Sequence, residues 1–194
     1  MKLTDARVVA TRAAIQRSFL ALLKEKPISR ITVKEICALS QINRSTFYKH
    51  YADPLDVLEK LENELFEKLT ASVENGGFRD LREYLNEALC GMERCGEMYL
   101  TLASPNGDPA LHAKMFRRLY EMAYPAFERN FPDLSPAQRD MAYQFVQQGS
   151  GGILAGWFRS GMTVPREEVL ALLLTMTGGA IRELRKEMDG NGDQ

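Results

Sequence analysis

From residue 44 to residue 50 the chain reads Arg-Ser-Thr-Phe-Tyr-Lys-His, a run of cations, hydroxyls and one imidazole around a single apolar ring. Such groups are hydrogen-bond donors and positive charges, matched to phosphate oxygens and to the acceptor edges of purines. Arg44 can pair with O6 and N7 of a guanine, while Tyr48 and His50 suit phosphate oxygens. Bond-making chemistry has less to work with. The chain holds 2 histidines, and His112 has only Met115 and Phe116 at helical spacing. Cys90 and Cys95 are too awkwardly spaced for a metal site. With Cys37 they form an odd, sparse set that suits free thiols. Gly149-Ser150-Gly151-Gly152 lacks the following lysine and the preceding strand of a phosphate loop. No catalytic residue, metal site or cofactor is expected, and the chain is not expected to be an enzyme.

Donors of this kind are useful only on a rigid support, and residues 31–51 supply one. They read as a short helix, a tight turn and a second short helix. Thr32 and Glu35 form a capping box at the first helix start, with Val33, Ile36 and Cys37 facing inward. Asn43 is a good N-cap for the second. Phe47 and Tyr51, four apart, share its buried face, so Arg44, Ser45, Tyr48 and Lys49 point away. A helix-turn-helix of this form places its second helix in the major groove of DNA. Ahead of it, Ile15, Phe19, Leu22 and Leu23 define a helix over about 4–25, ended by Lys26-Pro27. Residues 1–51 hold 10 Lys/Arg against 3 Asp/Glu, and the remainder holds 15 against 23. A basic head on an acidic body fits a partner that is itself an anion.

The body is also helical, and no convincing strand or repeat is found. Asp53-Pro54 opens a helix, and Leu55, Leu58, Leu61, Leu65 and Leu69 continue it at helical spacing to about Val73. Glu74-Asn75-Gly76-Gly77 is a break. Residues 79–103 read as one or two helices, with an interruption at Gly96. After the turn cluster Ser104–Gly107, Asp108-Pro109 opens a helix to about Asn130, bent at Pro125. Ser135 and Gln138 form a second capping box, with Pro136 between them. That helix runs to about Ser160, where Gly161 is an end cap. Pro165 opens the last helix, to about Met188, and GNGDQ frays. The expected fold is all-α: a three-helix helix-turn-helix DNA-binding domain at 1–52, then a helical domain at 53–194. The helix at 53–73 connects the two. No run of about 18 apolar residues is present, so no membrane span is expected. Residues 1–19 lack the apolar block of a signal peptide, and a cytoplasmic location is expected.

The residues of the head resemble the DNA-binding domain of the TetR (tetracycline repressor-like) family. The matching elements are Thr32-Val33-Lys34-Glu35-Ile36, Ile42-Asn43-Arg44-Ser45-Thr46-Phe47-Tyr48 and His50-Tyr51, followed by Leu55 and Leu58. The resemblance implies that Arg44, Ser45 and Lys49 face bases. It implies that Thr32, Thr46, Tyr48 and His50 meet phosphates. Two positions depart from the pattern. Gln41 stands where the turn usually has glycine. Pro54 stands where the next helix usually offers a lysine to the DNA backbone.

Operators of such proteins are near-palindromes because the protein has a two-fold axis, so the body must supply a homodimer interface. The two closing helices are the candidates, through Phe145, Gly149, Gly152 and Gly156 on one and Leu170, Leu173, Leu174, Thr177 and Ile181 on the other. By the resemblance, these helices form a four-helix bundle with those of a second subunit. Met98, Tyr99, Met115, Phe116, Tyr120, Tyr124 and Trp157 are the candidate lining of an effector pocket, for a small apolar or aromatic compound. The implied function is a homodimeric regulator that binds double-stranded DNA, a repressor released by that effector. The alternative is an activator or a regulator that answers to a protein partner. It rests on Gly-Trp-Phe-Arg-Ser-Gly-Met at 156–162, which loosely resembles the subgroup that includes dihydroxyacetone-kinase operon activators.

Overall fold

Local start and stop signals set most of the element boundaries. In the computed structural model, which describes residues 3–75 and 81–190, the described residues form eight α-helices and no strand. Helix α1 spans Leu3–Glu25, and a 3₁₀ turn at Ile28–Arg30 follows Pro27. Helix α2 spans Val33–Ser40 and α3 spans Arg44–Phe47. Then come α4 (Pro54–Asn75), α5 (Leu81–Leu102), α6 (Leu111–Asn130), α7 (Pro136–Arg159) and α8 (Arg166–Gly190). The expected break at Gly76-Gly77 and the tail from residue 191 lie outside the described residues.

Three expectations change. Helix α5 runs through Gly96 without a break. Gly96 is instead a point of close packing, since a Cβ there would lie 2.2 Å from Cε of Met162. Helix α6 starts at Leu111, two residues beyond Pro109, because the Asp108 carboxylate accepts from the Ala110 N–H at 2.8 Å and holds a turn first. Leu55 does not join the inward stripe of α4. It is 61% exposed, and Val57, Leu58, Leu61 and Leu65 are buried instead.

The chain divides into two compact units, Met1–Lys68 with Glu97–His112, and Leu69–Gly96 with Ala113–Gln194. In the first, α1 packs on α2 and α2 on α3. Ile15, Phe19, Leu23, Ile36 and Phe47 are fully buried there, as is Leu65. The unit extends beyond residue 52 for a visible reason. Asn106 donates its side-chain amide to the Leu23 carbonyl oxygen at 3.0 Å and accepts from the Ile28 N–H at 2.8 Å. The last carbonyls of a helix have no partner within it, so Asn106 closes the end of α1 from a distant part of the chain. Lys24 and Glu97 pair beside it at 2.6 Å.

In the second unit α7 packs along α8. One core joins Leu89, Trp157, Val169, Leu170 and Leu173. Another joins Phe127, Phe131 and Tyr143. Trp157 donates its Nε1–H to the Val164 carbonyl at 2.8 Å, and the Ser150 and Thr177 hydroxyls bond across α7 and α8 at 2.7 Å.

Gly107 tests the Asn106 turn. A Cβ at Gly107 would lie 2.1 Å from the Leu102 carbonyl oxygen, a backbone atom that cannot step aside. Gly107→Ala is expected to destabilise the protein by about 1–3 kcal/mol, the usual cost of overpacking. Urea unfolding followed by circular dichroism measures it, and an unchanged midpoint would contradict this account of the turn.

Candidate nucleic-acid interface

The α2–turn–α3 segment is built from three local devices. The Thr32 hydroxyl accepts from the Glu35 N–H at 3.3 Å, and the Glu35 carboxylate accepts from the Thr32 N–H at 3.0 Å, completing the capping box. Lys26 also pairs with Glu35. The Lys26 and Thr32 hydrogen bonds together pull the Glu35 carboxyl down to about 2. Gln41 then takes φ 56° and ψ 40°, the left-handed region that a side chain normally resists. Asn43 caps α3 by accepting from the Thr46 N–H at 2.8 Å.

Helix α3 is one turn long, and a hydrogen-bonded turn carries it on through Tyr51. Phe47 is fully buried and Tyr51 is 2% exposed, their rings 5.9 Å apart. Arg44, Ser45, Tyr48 and Lys49 are exposed, while Thr46 and His50 are half-buried. Tyr48 leans edge-on against Phe47 at 5.6 Å. The Ser45 hydroxyl donates to Asn43 Oδ1 at 2.8 Å. Thr32 is exposed, but both its N–H and its hydroxyl donate to Glu35, so a phosphate there would compete with a carboxylate. Cys37 is buried beneath this surface, and burial raises its thiol pKa against the opposing pull of Arg44.

Of the residues foreseen as an effector pocket, Met98 and Tyr99 belong to the first unit and Met115, Tyr120, Tyr124 and Trp157 to the second. Trp157 is a core residue, as its burial against Leu89 and Leu173 requires, and Met115 is 5% exposed. Tyr99 is buried and its hydroxyl bonds His112 Nδ1 at 2.8 Å, which gives the histidine a partner that helical spacing does not reveal. Met98 is half-buried. The side chain of Phe116 lies outside the described residues. Tyr120 and Tyr124 do come together, stacked at 5.0 Å, and both meet Tyr143 edge-on. The Tyr120 hydroxyl donates to Asp140, and this bond, with burial, pushes its phenol pKa up. Burial pushes Tyr143 up to about 12.

On the closing helices the foreseen stripe divides. Leu170 and Leu173 are 7% and 1% exposed in the single chain, committed to its own core with no surface to offer a partner. Leu174 packs against the same core, Ile181 packs against the aromatic one, and Thr177 is buried. Phe145 is 70% exposed, and a Cβ at Gly149 or Gly152 would meet nothing. Gly156 is half-buried. Met141, Leu172 and Met176 are also exposed. The 156–162 element is accounted for locally. Trp157 and Phe158 are buried, and Gly161 and Met162 take positive φ to end α7. Among the described residues no group of three or more His, Cys, Asp or Glu is placed to hold a metal, and no helix is long and apolar enough to cross a membrane.

A family model described as a TetR-type transcriptional regulator C-terminal region matches residues 79–179, just over half of the chain. The chain belongs to the TetR family of transcriptional regulators. This TetR-family chain is also similar to the crystal structure of a TetR transcriptional regulator from Streptococcus agalactiae 2603V, with a TM-score of 0.66 and 28% identity. That likeness covers 90% of this chain and 97% of the other. A further relative is an uncharacterized HTH-type transcriptional regulator of Bacillus subtilis (strain 168), YxbF, 44% identical over 61 residues. The match spans 31% of this chain but only 16% of that protein.

The family reading leaves two residues of the TetR-type head unaccounted for. Asp56 and Lys60, on the first turns of α4, reach the segment that follows α3. The sequence carries a faint sign of them, an Asp and a Lys four apart on a helix, but nothing in that spacing points to residues 50–52.

Gln41 carries the clearest backbone strain of this surface. A non-glycine residue held in the left-handed region costs about 1–3 kcal/mol. Gln41→Gly removes that cost and adds back some chain entropy. The variant is expected to unfold at higher urea, by about 1 kcal/mol, and a lower midpoint would contradict the assignment of strain.

Proposed function

We propose that this TetR-family regulator is a homodimeric repressor of a near-palindromic operator. Arg44, Ser45 and Lys49 face bases in the major groove, and Thr46, Tyr48 and His50, with Thr32, lie toward phosphates. The observation that carries the reading is the division of α3, with Phe47 fully buried while Arg44, Ser45, Tyr48 and Lys49 stand exposed. The basic balance of residues 1–51 supports it.

The dimer is proposed to form through α7 and α8. Met141, Phe145, Gly149 and Gly152 fall at helical spacing on α7, and Leu172 and Met176 lie on α8. These apolar and small residues are left open in the single chain, which supports the reading because a face of this kind is usually covered. A small apolar or aromatic effector in the 53–194 domain is proposed to release DNA. The stacked and half-buried Tyr120 and Tyr124 support that class of compound. Linkage then requires DNA to lower effector affinity by the same factor. Helix α4, which runs from one compact unit into the other, would carry the change.

Three variants separate the roles. Arg44→Ala or Tyr48→Ala is expected to weaken binding to a selected duplex, by about 1–3 kcal/mol for Arg44, while sedimentation still reports a dimer. Phe145→Asp is expected to yield monomers that bind the duplex poorly. Unchanged gel shifts in the first pair would refute the head assignment, and an intact dimer in the last would refute the interface. Trp157 fluorescence titrated with planar apolar compounds tests the effector, and a protein that responds to none of them would remove it.

A further inference from the structure

Lys60 belongs to none of the sets that the sequence singles out. From the second turn of α4 its ammonium donates to the His50 carbonyl oxygen at 3.0 Å and to the Asp56 carboxylate at 2.9 Å. It also lies 5.0 Å from the centre of the Tyr51 ring, within range of a cation–π attraction. Asp56 in turn accepts from the Ala52 N–H at 2.8 Å. Two residues one turn apart on α4 therefore hold three consecutive residues, 50–52, at the end of the α3 unit. Burial alone would raise the Asp56 carboxyl pKa, but Lys60 and the Ala52 N–H outweigh it and lower it.

The last carbonyls at the end of a helical segment lack partners within it, and a lysine is a common donor to them. That donor usually comes from the same segment. Here it comes from the next helix, so the bond fixes the angle between two helices as well as closing an end. A one-turn helix has little rigidity of its own. Its N-terminal end is held by Asn43 and its last residue, Phe47, is fully buried. Beyond it, Lys60 and Asp56 hold residues 50–52 together with the buried Tyr51 ring.

We propose that Lys60 is a positioning residue for DNA recognition: bonded to His50 and Asp56 and seated over Tyr51, it sets the orientation of Arg44 and Lys49 without touching DNA. The inference rests on α3 facing the groove. It bears on the departure at Pro54. The Lys on α4 nearest to the role of the usual phosphate-binding lysine has its ammonium bonded to His50 and Asp56 instead, with its side chain 42% exposed.

The two roles differ in what they do to specificity and to salt dependence. Removing a phosphate-binding lysine weakens binding to all sequences alike and makes the salt dependence shallower, by about 0.9 in log–log slope for each phosphate no longer neutralised. A positioning lysine acts through base recognition alone. The full chain carrying Lys60→Met is titrated with a duplex recovered by selection from random DNA, and with a scrambled duplex of equal length, over a range of salt. Affinity for the selected duplex is expected to fall about tenfold to a hundredfold, the size of one mis-set pairing with a base. Affinity for the scrambled duplex and both salt slopes are expected to stay near wild type. Lys60→Arg, which keeps the charge and the donors, is expected to recover most of the affinity. A uniform weakening with a shallower slope would overturn the proposal in favour of direct phosphate binding, and unchanged affinity would also overturn it. If circular dichroism shows Lys60→Met to be unfolded, Asp56→Asn is judged by the same outcomes. Arg44→Ala run in parallel keeps the two readings apart, because unchanged binding there removes the groove-facing role of α3 whatever Lys60 does.

Discussion

The burial of Phe47 and Tyr51 is the interaction on which the head depends, because α3 spans only Arg44–Phe47 and a helix so short does not persist in water by its own hydrogen bonds. Removing a ring of this size from water stabilises by about 1.5–3 kcal/mol, more than an N-cap such as Asn43 contributes, about 1 kcal/mol. Everything outward follows from that anchoring. With Phe47 inward, helical geometry turns Ser45 and Tyr48 outward, and Arg44 stands exposed at the helix start. The chain then has to leave the turn at one angle, which is why Gln41 is held at φ 56° against its preference.

The features that were legible in the sequence are the ones whose causes are local. Thr32 with Glu35, Ser135 with Gln138, Asn43, and Asp53 with Pro54 each announce a helix start within four residues. The structure carries all of them. The left-handed turn at Gln41 and the cap at Gly161 are of the same kind. What was not legible depends on partners far along the chain. A leucine stripe on an apolar helix does not say which side meets the chain's own core, so Leu170 and Leu173 read as interface while Trp157 read as pocket. Tyr99 and His112 find one another across the turn between α5 and α6. Leu55 has helical spacing with its neighbours, yet the first turn of α4 buries Val57 in its place.

The body shows a different balance of forces. Its contacts among Tyr120, Tyr124, Tyr143, Phe127 and Phe131 are aromatic, and their geometry is specific where a leucine core would be permissive. At the other end of the unit, Arg166 donates to Cys90 Sγ at 2.8 Å and to Glu93 at 3.2 Å, tying the start of α8 to α5. These are ties within the unit, and among the described residues they leave Met141, Phe145, Leu172 and Met176 as the large apolar side chains of α7 and α8 still exposed.

The amide of Asn106 bears on how such proteins can be recombined. Because that side chain satisfies the Leu23 carbonyl and the Asn106 backbone carbonyl accepts from the Ile28 N–H, the DNA-reading end of the chain is not a cassette that finishes where its three helices finish. A chimera joined at residue 52 would inherit a foreign turn in place of Ser104–Gly107, and the end of α1 would be left with open polar groups. Exchanging heads between relatives would therefore transfer intact reading geometry only when the turn between α5 and α6 travels with the head. Divergence at that turn would restrict which heads and bodies can be combined.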